Sequence, residues 1–88
     1  MNYDDWKMEA KGIILQLQQK YKGDLKLQIR LKLLSLWLEN LKPEQPDQMA
    51  KFISDVKALY DTYKIPELLS IIPKEFREGL SLIHISEP

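Results

Sequence analysis

The segment Leu25–Leu41 reads LKLQIRLKLLSLWLENL, and its apolar pattern decides the fold class. Apolar and polar residues alternate as far as Leu33, as they do in a half-buried strand. The alternation then ends, and a composition of Leu, Lys, Gln and Arg favours a helix. Five leucines recur at spacings of four and three, which is typical of one helix face. They are Leu27, Leu31, Leu34, Leu38 and Leu41. We therefore predict a helix over about 25–42, with a β-hairpin around Gly23 as the alternative.

The same helix has a second apolar face. At about 100° per residue, Leu25, Ile29 and Leu36 lie nearly opposite the leucine stripe. Trp37 lies at the edge of the leucine stripe. A helix that is apolar on opposite sides is normally buried by neighbours on both sides. These four residues are our candidate interface, for a homodimer or for a partner helix. The alternative is that all four belong to the core, covered by the flanking helices.

Two more helices are predicted, over about 4–22 and 47–64. Apolar residues recur at helical spacing from Trp6 to Tyr21 and from Met49 to Tyr63. We expect Asp4 or Asp5 to cap the first helix and Asp47 to cap the third. Gly23 is expected to be the C-terminal glycine of the first helix, and Gly12 to mark close packing against a neighbouring helix.

Two short helical pieces are predicted near the C-terminus, over 67–72 and 74–78. Each follows a proline, Pro66 or Pro73, at a position suited to a first helical turn. The first piece should cover the open end of the bundle, and Phe76 should anchor the second. The expected fold class is all-α, a small bundle of three main helices with these two short pieces.

The composition is that of a single globular domain. The chain has 88 residues, 44% hydrophobic and 30% charged, with a formal net charge of zero. This balance is far from the composition of disordered proteins, and it argues against a general nucleic-acid or membrane-surface binder. There is no cysteine for disulfides or thiolate zinc sites, and no apolar run approaches the ~20 residues of a membrane span. We expect a cytoplasmic protein.

The last nine residues, Leu80–Pro88, read LSLIHISEP. They resemble one translated frame of a transposase-type sequencing adaptor, matching at every position. We therefore interpret residues 80–88 as a non-native tail and exclude them from the fold. The single helical domain is assigned to residues 1–79, and the natural reading frame is expected to have continued past Gly79.

No catalytic constellation is recognisable in residues 1–79. The only histidine, His84, lies in the tail, so no serine or threonine has a credible base. Three carboxylate pairs are better explained as helix caps and solvated faces than as acid/base machinery. They are Asp4/Asp5, Asp55/Asp61 and Glu75/Glu78. There is no glycine-rich phosphate loop and no metal-spaced histidine pair. We expect no enzymatic activity, no metal, no cofactor and no small-molecule substrate.

A basic cluster surrounds the first turn and is a candidate for phosphate contacts. It consists of Lys20, Lys22, Lys26, Arg30 and Lys32. Two functions are compatible with these features. The favoured one is a helical protein–protein interaction or assembly module, with a protein partner or a second copy as its ligand. The alternative is a small nucleic-acid-associated protein that uses the basic cluster.

Overall fold

A computed structural model describes residues 3–42 and 44–77, and within these ranges the fold is helical with no strand. Three α-helices come first, α1 (Tyr3–Lys20), α2 (Leu25–Asn40) and α3 (Pro46–Tyr63). A 3₁₀ helix, here called the 3₁₀ segment, covers Pro66–Ile71, and residues 74–77 form one helical turn. The all-α prediction is confirmed. The hairpin alternative is wrong, because the chain is helical on both sides of the turn at Gly23.

One core lies between the three helices and the 3₁₀ segment. The five leucines of the α2 stripe are all buried, as their heptad-like spacing predicts. The 3₁₀ segment packs on α1 and α3, while α2 packs mainly on α1. The buried apolar residues outside α2 are Trp6, Ala10, Ile14, Leu17, Met49, Phe52, Val56, Leu59, Ile65, Leu68, Ile71 and Ile72. Both α1 and α3 therefore contribute the faces predicted from their periodicity.

Polar contacts fix the turn between α1 and α2. Asp24 caps α2, since its carboxylate accepts a hydrogen bond of 3.1 Å from the backbone N–H of Leu27. The Gln28 side-chain amide donates to the backbone oxygens of Gln18 and Tyr21, both at 2.9 Å. These bonds bring a side-chain donor to two carbonyls at the C-terminal end of α1, where intrahelical donors run out. The direction in which α2 leaves the turn is thereby set locally.

The N-terminal cap predicted for α3 is wrong. Gln45 occupies the cap position and makes no side-chain capping bond, and Pro46 begins the helix. A proline suits this first position because its missing N–H would have no partner there and its φ is already helical. Asp47 lies one residue further, in the first turn, where the helix dipole still favours a carboxylate.

The predictions for Gly23 and Gly12 are both wrong. Gly23 does not adopt a positive φ, and the turn closes instead through a 3.0 Å bond from the Asp24 N–H to the Tyr21 oxygen. A Cβ built on Gly12 would meet nothing within 4 Å, so close packing does not explain this glycine. The residue that ends a helix in the left-handed backbone conformation is Lys64, at the C-terminal end of α3, with a φ of 54°.

Trp6 connects α1 to the rest of the core. Its indole N–H donates a buried hydrogen bond of 2.8 Å to the backbone oxygen of Ile71. Its ring packs edge-on against Phe52, with centroids 5.7 Å apart and an interplanar angle of 88°. Edge-on pairs of this kind stabilise beyond their buried area. One side chain thus joins α1, α3 and the 3₁₀ segment.

The C-terminal pieces close the bundle much as expected. Leu68, Ile71 and Ile72 have no exposed surface, so the 3₁₀ segment covers the open end as predicted. The anchor predicted for the next turn is wrong, because Phe76 is 40% exposed while Pro73 is fully buried. Pro73 also accepts the hydrogen bonds that form this turn, from the N–H groups of Phe76 and Arg77. Glu78 and the tail lie outside the described residues.

We predict that Trp6→Phe lowers the free energy of unfolding by about 2–4 kcal/mol. The substitution leaves the Ile71 carbonyl buried without its partner and opens space beside Phe52. Urea denaturation measures the loss, and hydrogen exchange should show weakened protection in the 3₁₀ segment. Trp37→Phe is the matched control, because Trp37 is only half-buried, and it should cost less than about 1 kcal/mol. Equal losses in the two variants would contradict the role given to Trp6.

Candidate interaction face

The side of α2 opposite the core is apolar and open. Leu25, Ile29, Leu33 and Leu36 are respectively 75%, 62%, 61% and 48% exposed. They follow one another at spacings of four, four and three, so they lie on a single side of the helix. Within the described residues, neither α1 nor α3 covers this side.

Two exposed side chains of α1 extend this surface. Lys11 Nζ lies 2.6 Å from Glu39 Oε1, which fixes α1 against the C-terminal half of α2. Met8 and Leu15 lie about one turn before and after Lys11 and are strongly exposed. They lie on the side of α1 that is turned away from the core, as the four exposed apolar residues do on α2. We call these six side chains the outer face: Met8, Leu15, Leu25, Ile29, Leu33 and Leu36.

One ion pair, between Lys11 and Glu39, lies at the border of the outer face, in addition to the exposed basic residues of α2. The hydrogen bond and the charge of Lys11 hold the pKa of Glu39 below its usual value. A second cross-helix bond, from Lys7 Nζ to the backbone oxygen of Leu41 at 2.5 Å, ties α1 to the end of α2. The two helices are thus held together on this side by polar contacts, and the apolar side chains stay outside them.

The structure separates the four residues of the predicted interface. Leu25, Ile29 and Leu36 lie on the outer face, which removes the alternative that all four are core. Trp37 is different, because it packs partly against the core and carries Lys51 Nζ 5.1 Å above its ring. This cation–π contact joins α2 to α3 at the edge of the core.

Sequence reasoning missed three members of the outer face. Leu33 fits the strand-like alternation, and it also lies four residues after Ile29, on the same side of the helix. Met8 and Leu15 are seven residues apart on α1, a spacing that returns to the same face after two turns. Neither residue belongs to the apolar pattern of α1 that runs from Trp6 to Tyr21 and forms its core face. Two apolar residues outside that pattern and on one side of the helix are the signal that could have identified them.

The basic cluster does not form one continuous surface. Lys20 is bound to Glu67, with Nζ 3.1 Å from Oε2, and its ammonium lies 5.5 Å from the Tyr21 ring centroid. That hydrogen bond to Glu67 raises the pKa of Lys20. The other four basic residues are exposed, but Arg30 and Lys32 lie on opposite flanks of α2, about 160° apart around the helix. The apolar row of the outer face runs between them.

A shallow groove of about 680 Å³ lies on the far side of the molecule, against α3. Ile53, Lys57, Asp61 and Phe76 are among its lining residues. Its walls mix small, apolar and oppositely charged side chains without a convergent polar set. Within residues 3–42 and 44–77, no three acidic or histidine side chains come together as a metal site.

No family model, curated protein or solved structure matches this chain. In the described part of the chain, no helix has the length and apolarity that crossing a membrane requires. The outer face is therefore interpreted from its own geometry.

We predict that Lys20→Gln raises the pKa of Glu67 only part of the way to its usual value. Glu67 is held below that value first by a hydrogen bond from its own backbone N–H and then by Lys20. Because the folded pKa is lowered, this contact stabilises the fold above the usual pKa of a glutamate and is lost as the pH falls through the lowered value. NMR titration of the Glu67 carboxyl group measures the change. Lys22→Gln, a neighbouring exposed lysine, should leave the pKa unchanged, and an unchanged pKa in both variants would contradict the assignment.

Proposed function

We propose that this chain is a non-enzymatic helical interaction module that binds a protein partner through the outer face. The observation that carries the proposal is the row of apolar side chains on α2 whose exposed fractions run from 48% to 75%. Isolated exposed leucines are ordinary on protein surfaces. Four at helical spacing on one helix, with two more on the solvent side of α1, make an apolar surface of the kind that marks interaction sites.

The energetics favour covering this face. Burying one leucine-sized side chain contributes about 1.5–3 kcal/mol relative to leaving it in water. The leucine stripe on the opposite side of α2 already supplies the contacts that the fold uses. Polar residues at the outer positions would cost the core nothing and would make α2 an ordinary amphipathic helix. Their apolar character is therefore better explained by a contact outside the monomer.

The chemistry of the face fits binding rather than catalysis. Its six side chains are aliphatic or thioether groups, which neither donate nor accept protons near neutral pH. The ion pair between Lys11 and Glu39 at its border is already satisfied within the chain. Such a surface recognises another apolar surface, most simply a helix with its own apolar side.

We predict that the double variant Leu25→Glu/Ile29→Glu stays helical but loses association. Both positions are exposed, so the glutamates remain in water and the fold should change little. Circular dichroism measures helicity, and light scattering together with the fluorescence of a hydrophobic dye measures association and exposed apolar surface. The wild type should self-associate or bind the dye, and the variant should do neither.

Two controls define the result. Ala50→Glu/Ala58→Glu places the same charges at exposed positions on α3 and should behave like the wild type. Leu31→Glu buries a charge in the core and should unfold the chain. A wild type that is monomeric and binds no dye would contradict the proposed function, as would unfolding of Leu25→Glu/Ile29→Glu.

Nucleic-acid association is the second candidate, and one observation favours it. Lys26 and Arg30 are exposed one turn apart on α2, close to Lys22 in the turn. Phosphate binding by these residues would be steeply salt-dependent. Binding to a generic duplex at low salt that is lost in Lys22→Glu or Lys26→Glu would support it, and no binding at low salt would remove it.

A further inference from the structure

We propose that the partner of the outer face is an acidic amphipathic helix of another protein. Its apolar side covers the exposed apolar row of α2, and its carboxylates pair with the basic residues on the two flanks of that row. The apolar row consists of Leu25, Ile29, Leu33 and Leu36. This proposal rests on the proposed function and names the chemistry of the partner.

The apolar row has basic side chains on both flanks. Around α2, Lys26 and Arg30 lie about 60° and about 100° to one side of Ile29. Lys32 lies about 60° to the other side. All three basic residues are exposed, and the only acidic residue of α2 is Glu39, near its C-terminal end. The helix thus presents an apolar strip between two positive edges, although the chain as a whole has no net formal charge.

The three flanking basic residues form no ion pair within the described part of the chain. Glu39, on the same helix, is paired with Lys11. Asp24, which precedes the helix, caps it through its carboxylate. Charges that serve only to keep a surface soluble are usually of both signs. Here the charges beside the apolar row are all positive, so they favour a ligand that supplies carboxylates.

The position of Lys26 also points to an external carboxylate. Lys26 lies in the first turn of α2, and that turn contains no acidic residue. The positive end of the helix dipole disfavours a cation there and favours an anion. The stability of the helix therefore does not explain this lysine. A carboxylate of the partner would be attracted by the lysine and by the helix end together.

The shape of the apolar row suits a single helix. From Leu25 to Leu36 the row is about 16 Å long and covers about 80° of the helix surface, which matches three turns of the apolar stripe of another helix. Lys26 and Arg30 are one turn apart on the same flank. A helix that packs along the row would meet them with acidic residues that are also spaced by four.

A lipid bilayer fits the outer face less well. Protein surfaces that lie in the membrane interface typically carry tryptophan or tyrosine at the level of the headgroups. The six side chains of the outer face include no aromatic residue. The one aromatic residue of α2, Trp37, is half-buried beneath the ammonium group of Lys51. A protein helix is therefore the occupant that the face favours.

A fluorescent synthetic peptide tests the proposal. The probe is a helix of about 18 residues with leucine at every third or fourth position and glutamate on both sides of that stripe. Fluorescence anisotropy measures its binding at low salt, where exposed charges are screened least. The peptide should bind with a dissociation constant below about 1 mM. The same peptide with lysine in place of glutamate should bind about ten-fold more weakly or less, because each exposed pair changes the affinity by up to about five-fold.

Charge reversal on the protein supplies the second measurement. Lys26→Glu/Arg30→Glu should weaken binding of the glutamate peptide by about ten-fold or more and strengthen binding of the lysine peptide. Both positions are exposed, so the circular dichroism spectrum should not change. Lys57→Glu/Lys74→Glu is the matched control. It makes the same change of charge at exposed positions on α3 and after the 3₁₀ segment, and it should bind like the wild type.

Several outcomes overturn the acidic partner. Equal binding of the glutamate and lysine peptides does so, as does an equal loss of binding in the control variant. Undiminished binding of a glutamate peptide with alanine in place of leucine also overturns it, because charge alone would then suffice, as it does for nucleic acids. The same holds if the protein binds phosphatidylcholine vesicles with about 30% phosphatidylserine but not the peptide, since the occupant is then a membrane.

The hydrophobic dye separates this proposal from the proposed function. If no peptide binds but the dye still binds through the outer face, the acidic helix is wrong and the interaction function stands with a partner of different chemistry. If neither the peptide nor the dye binds, both proposals fail.

Discussion

The buried indole of Trp6 determines how the helices are arranged. It holds the Ile71 carbonyl at 2.8 Å and packs edge-on against Phe52, so α1, α3 and the 3₁₀ segment meet at one point. A tryptophan is seldom buried without a partner for its N–H, and here the partner comes from the last part of the bundle. Because the 3₁₀ segment packs against both α1 and α3, the core lies on one side of α2 only. The opposite side of α2 is open as a consequence of this arrangement.

The outer face is formed before any partner arrives. Gln28 bonds to two carbonyls at the end of α1, and the contacts made by Lys7 and Lys11 hold the other end of the pair. These bonds set the position of α1 relative to α2 without using the exposed apolar residues. A surface that is already ordered avoids part of the entropy that binding otherwise costs. The individual ion pairs are exposed and stabilise the fold little, so their main effect is on position.

The heptad-like leucine stripe, the periodicity of α3 and the two prolines before the short pieces were enough to predict the helices and the core face of α2. The details that failed depend on contacts that a sequence pattern does not contain. Asp47 was predicted to cap α3, but the helix begins at Pro46. Phe76 was predicted to be buried, but Pro73 is the buried residue of that turn. The apolar second face of α2 was visible in the sequence, but whether a neighbour covers it depends on where α1 and α3 pack. Leu33 is a second example of what a sequence pattern leaves open, because it fits both the alternation of a strand and the spacing of a helix face.

The bond between Trp6 and Ile71 joins residues 65 positions apart, and this separation has a consequence for synthesis in the cell. While the chain emerges from the ribosome, α1 and α2 are complete long before the 3₁₀ segment exists. During that interval α2 exposes apolar residues on both sides, and such a nascent chain is prone to stick to others or to attract chaperones. The core can close only after residue 72 has left the exit tunnel. Folding of this chain is therefore expected to finish after most of it has been translated, although its helices are local structures that form quickly.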